Sequence, residues 1–118
     1  MFGIFEENHQ EVYNGGHEAK FSHEVVAGAA SFAAVKLFED KQRRDGKPVS
    51  HAFAKEAIAA LAGAEADKLF ETKGLDHLDR ERVRRQAIDN AQRGYDDHYG
   101  GQDRWYPDSQ PPFDYQRY

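Results

Sequence analysis

"VAGAASFAAVKLFED", residues 26–40, decides how the chain is read. Between Val25 and Phe38 only Ser31 and Lys36 are strongly polar. Phe21, Val25, Gly28, Phe32 and Val35 are spaced alternately by four and three residues, which places them on one seam of an α-helix. A helix that is apolar nearly all round is buried on several sides. The spacing predicts a helix over about 17–44 at the centre of an all-α fold. Gly46 supplies a C′ position for it, and Pro48 prevents simple continuation.

"LAGAEADKLFET", residues 61–72, echoes that stretch. Both hold Ala-Gly-Ala followed by Lys-Leu-Phe-Glu, but the first phrase recurs after 35 residues and the second after 32. The mismatch is close to one helical turn. A face can survive that slip; the fixed spacing of a two-site ligand motif would not. Mid-helix glycine costs ~1 kcal/mol relative to alanine. Gly28 and Gly63 are therefore read as packing positions where helix backbones approach, with Phe32 in the same interface. Leu37, Phe38, Leu69 and Phe70 read as plugs at opposite ends of a helical hairpin.

Ser50 is a good N-cap for a second helix to about Lys73, ended by Gly74, with Leu75 as the hydrophobic contact of the cap. Phe53, Ala57, Ile58, Leu61, Ala64 and Leu69 give it a broad apolar face. Asp76 can cap a third, to about Tyr99, whose thin stripe is Val83, Ala87, Ala91 and Tyr95. Short loops imply antiparallel neighbours, so the expected fold is an antiparallel three-helix bundle. Its helical domain covers 17–100, with helices at about 17–44, 50–73 and 76–99. Residues 1–16 read as an irregular arm anchored by Phe2, Ile4 and Phe5 and broken by Asn14-Gly15-Gly16. Residues 101–118 form a tail with three prolines and many aromatics. Trp105, Tyr106, Phe113, Tyr115 and Tyr118 are costly to leave in water, so part of this tail is expected across the bundle or a partner subunit.

At 118 residues the chain is one domain, and 31% charged residues make it very soluble. A net charge of −5 argues against nucleic acid, because the basic runs "KQRRDGK" and "RERVRR" are mixed with acids. No apolar run reaches the length of a membrane span. The start has neither a secretory h-region nor transit-peptide arginines, so a cytoplasmic protein is expected. The absence of cysteine excludes disulfides, thiolate catalysis and Cys-based zinc sites.

"HEAKFSHEVVAGAASFAAVKLFED", "GKPVSHAFAKEAIAALAGAEADKLFETKGLD" and "YDDHYG" closely resemble the fungal concanamycin-induced protein C-like (CipC-like) family. These are small antibiotic- and stress-responsive proteins of filamentous fungi. The resemblance runs from about Asn8 to Gly100 and implies a fungal, intracellular protein. It brings no catalytic residue to carry over, and the aromatic tail lies outside it.

Several constellations carry candidate chemistry. One end of the bundle should gather His17, His23, Glu24, Glu71, Asp76 and His77. The other should gather Glu39, Asp40, His51, Asp96, Asp97 and His98. His51, His98 and Asp97 are the best metal candidates, against the plainer reading that they hydrogen-bond helix ends. Glu56 and Glu65 sit among apolar residues and could act as acid or base, but pairing with Arg82, Arg85 or Arg93 is the simpler expectation. No serine or glycine motif of an enzyme is present. The leading reading is a non-catalytic helical stress-response protein that self-associates, as a dimer, with no cofactor. The alternatives are a small-molecule or divalent-metal binder with an inter-helix pocket, and a hydrolase or isomerase built on Glu56, Glu65 or a histidine.

Overall fold

The computed structural model describes residues 2–13 and 21–112. Its elements are α1 (Phe2–Tyr13), α2 (His23–Asp45), α3 (His51–Lys73) and α4 (Arg80–Tyr99). Helices α2, α3 and α4 pack on one another as the expected antiparallel bundle, and α1 lies along α2. The described residues contain no strand, only an isolated bridge between Val49 and Trp105.

The caps follow local chemistry. Ser50 Oγ accepts from Phe53 N at 3.1 Å, and α3 ends at Gly74 with φ 64°. Gly46 has φ 70°, and its N–H bonds the carbonyl of Gln42, while Arg43 and Arg44 complement the dipole in the last turn of α2. Two starts differ from the sequence reading. Helix α2 begins at His23 rather than 17, because Ser22 Oγ accepts from Val25 N at 3.1 Å. Helix α4 begins at Arg80, capped by Asp79 rather than Asp76. Residues 75–78 are used to bury Leu75 in a turn closed by Leu78 N to Leu75 O at 3.0 Å.

The larger departure is α1. The segment expected to be an irregular arm is a helix in its described part, with Phe5 and Val12 packed onto the core. Every residue of α2 from Val26 to Val35 is buried, because α1 covers the side that α3 and α4 leave open. The apolar character of α2 is thus satisfied within one chain.

Gly28 faces α1, not another backbone of the bundle. A Cβ there would collide with the Asn8 side-chain amide and lie 3.1 Å from Phe5 Cδ1. Gly63 accommodates a guanidinium instead: a Cβ would stand 3.0 Å from Arg84 Nε. Both glycines are packing positions, but each receives side chains rather than a neighbouring helix backbone. Phe32, Phe38 and Leu69 are buried, whereas Leu37 and Phe53, placed inside by the sequence reading, are 43% and 48% exposed.

Candidate functional site

Two polar assemblies stand out. The first closes the end of the bundle where α2 meets α4. Glu39 is fully buried, and its two oxygens are separately engaged. Oε2 accepts from Tyr99 Oη at 2.6 Å, and Oε1 accepts from Arg43 Nε at 2.9 Å and Nη2 at 2.7 Å. Arg43 Nη1 then donates to the carbonyl of Pro107 at 2.6 Å, which pins the tail. Trp105 lies in the same nest, edge-on to Phe38 at 5.4 Å and beneath the Arg43 guanidinium. It also exchanges both backbone bonds with Val49, at 2.9 and 3.1 Å. Burial raises the Glu39 pKa, while Tyr99, Arg43 and the Trp105 indole oppose the rise. That indole N–H is near enough to act on Glu39 and Tyr99 but has hydrogen-bond geometry to no described acceptor.

The histidines of this end are tied to the tail as well. His51 Nε2 donates to the Gln102 carbonyl at 2.7 Å, which leaves Nδ1 to accept from Tyr95 Oη, also at 2.7 Å. His98 Nε2 donates to the Gln110 carbonyl at 2.6 Å. Residues 102–110 are therefore a strap held at four points along the end of the bundle. His51, His98 and Asp97 do not converge: the described residues contain no group of three His, Asp or Glu arranged to hold a metal. Tyr106 is half-buried and donates to Asp103 Oδ1 at 2.7 Å. At the opposite end His23 Nε2 accepts from Asp79 N at 2.9 Å, and His77 bonds the Phe21 carbonyl at 3.3 Å. His17, Phe113, Tyr115 and Tyr118 lie outside the described residues.

The second assembly is a cavity of about 350 Å³ between α1, α2 and α3. Each helix contributes residues one turn apart, which therefore share a face: His9 and Tyr13 from α1, Ala33, Lys36 and Leu37 from α2, Glu65 and Lys68 from α3. Tyr13 Oη donates to Glu65 Oε2 at 2.6 Å. This is the partner of Glu65 that the sequence reading missed by expecting an arginine, because it comes from the unforeseen α1. Glu56 is exposed. Burial, and then the Glu65 carboxylate, push the Tyr13 phenol above its ordinary range, so it holds its proton. The His9 ring stacks on Tyr13 with centroids 4.4 Å apart and tilts against Phe32 at 5.0 Å. Burial first, and Lys36 second, lower the His9 pKa below 6.5.

Fold and cavity define a small helical protein with a pocket between helices. The chain belongs to the family described as virulence factor CipC-like, whose match spans residues 8–98 and so takes in α2, α3 and nearly all of α4. No curated protein and no solved structure matches it. No described helix is long and apolar enough to cross a membrane.

Proposed function

We propose that this chain is a non-catalytic small-molecule-binding protein of the fungal antibiotic and stress response, working in the cytoplasm. The observation that carries the reading is the cavity between α1, α2 and α3. It combines an apolar wall, an aromatic stack and convergent polar groups, the make-up of ligand pockets in general. Its Tyr13–Glu65 pair is a poor acid–base machine. The phenol keeps its proton at any physiological pH, and the carboxylate is already engaged by it. The description of the family as virulence-factor-like supports a role in an organism's encounter with a hostile surrounding.

A fragment screen by protein-detected NMR tests the pocket reading. Binders should perturb the amides of His9, Ala33, Leu37 and Lys68 together. A diverse library that leaves all four unmoved would remove it.

Self-association is the second reading, favoured by the exposed Leu37 and Phe53 side chains. The apolar α2 does not itself call for a partner, because α1 covers that surface in the same chain. Light scattering across a dilution series separates the two: a constant monomer mass leaves only the pocket reading.

A further inference from the structure

The cavity has a chemical bias that narrows its ligand. Its lining holds two ammonium groups, Lys36 and Lys68, and one carboxylate, Glu65. They are not equally available. Glu65 already receives the Tyr13 hydroxyl at 2.6 Å. Lys36 pairs with Asp40 at 3.7 Å, with side chains 26% and 42% exposed, and is engaged beyond that pair. The Lys68 ammonium has no hydrogen bond or ion pair among the described residues. Lys68 therefore offers an unengaged positive charge on the lining of one cavity, in a protein whose net charge is −5.

The remaining wall is aromatic and apolar. His9 and Tyr13 form a stacked pair, and Leu37 is 43% exposed beside them. Covering such an apolar side chain is favourable. Glu6 acts on His9 and Asp40 pairs with Lys36, so acidic groups also border the site, which limits the negative charge a ligand can bring. A volume of about 350 Å³ falls at the low end of ligand pockets, enough for a one- or two-ring molecule.

Both lysines open the repeated Lys-Leu-Phe-Glu phrase, once on α2 and once on α3. We propose that this cavity takes a planar aromatic monocarboxylic acid, with its ring against the His9–Tyr13 stack and Leu37 and its carboxylate toward Lys36 and Lys68. The inference rests on the pocket reading and adds the charge and shape of the ligand.

Three probes of one shape test it: 1-naphthoate, 1-naphthamide and 1-naphthylmethylammonium, titrated into the full chain by NMR. Naphthoate should bind about tenfold tighter than the amide, the effect of one charge-assisted contact. Lys68→Gln, at an exposed position, should weaken naphthoate roughly threefold, as a partly exposed ion pair would, and leave the amide unchanged. Equal affinity for acid and amide, or preference for the ammonium, overturns the inference while the pocket reading stands. Naphthoate shifts confined to residues outside the cavity overturn it as well. Failure of all three probes, with pocket binders present in the fragment screen, also defeats the aromatic-acid assignment alone; failure of both experiments defeats the pocket.

Discussion

Replacing Tyr99 by phenylalanine isolates the bond on which the closed end of the bundle depends. The ring is kept, so packing against Tyr95, with centroids 5.1 Å apart, is conserved. Only the hydroxyl is lost, and with it the 2.6 Å bond to Glu39 Oε2 and the weaker 3.4 Å approach of Arg43 Nη2. Glu39 is fully buried, so no solvent replaces the lost donor. A hydrogen bond to a charged group contributes ~1.5–3 kcal/mol, and an unsatisfied buried oxygen places the cost within that range, about 2 kcal/mol. For a domain of this size that lowers Tm by roughly 6–10 °C. The pH dependence fixes the mechanism. The Glu39 pKa is raised by burial, so its contribution to stability is fully present below the unfolded carboxylate value and is lost as pH rises through the folded one. The Tyr99 hydroxyl opposes that rise by favouring the charged form. Tyr99→Phe should therefore lose most at neutral pH and recover toward wild type as acid protonates Glu39. Calorimetric melts at several pH values between 7.5 and 4.5 read both effects. A Tm drop under 1 °C at pH 7.5, or a deficit that grows on acidification, would refute the reasoning.

Glycine replacements should separate the two packing positions. Gly28→Ala pushes on Asn8 and Phe5 within the α1–α2 contact and should cost about 1–3 kcal/mol by overpacking. Gly63→Ala meets only the exposed, flexible Arg84 and should be neutral or gain up to ~1 kcal/mol from helix propensity; equal losses in urea melts would contradict both assignments. The lowered His9 pKa means its stabilising contribution is complete above 6.5 and declines as pH falls below that value. His9→Gln should flatten the Tm slope between pH 7 and 5, and an unchanged slope would count against a buried neutral ring. Trp105→Ala should cost about 3–5 kcal/mol, because the indole is fully enclosed; limited proteolysis should then cut within residues 101–112, and an unchanged digestion pattern would show that the strap is held without it.

The sequence was most legible where chemistry is local. Ser50, Gly46 and Gly74 act as caps because their requirements are set by immediate neighbours. The hydrophobic cost of Trp105 pointed correctly to a tail that must be covered, and the structure covers it within the chain. Helix α1 was illegible because Glu6, Glu7, Asn8 and Gln10 mask the Phe5–His9–Val12 spacing. A helix of 12 residues owes its stability to docking more than to propensity. Missing α1 also hid the cavity, two of whose lining residues it supplies. The buried acid was equally hidden. Glu39 and Glu71 end the same repeated phrase, yet one is enclosed and the other exposed. Arg43, one turn after Glu39, distinguishes them locally, but what encloses Glu39 includes Tyr99, 60 residues further along.

The strap has a consequence for how the chain reaches its folded state. Contacts of α3 with α2 and with α4 join helices that follow one another, and such local pairings form early. The bond from Arg43 to Pro107 spans 64 residues and must wait for loop closure. A chain emerging from the ribosome can assemble its helices while Phe38 still lacks its Trp105 neighbour. That surface stays open until residues 102–110 have been made and reach the bundle end, so the strap, rather than the helices, decides when it is hidden.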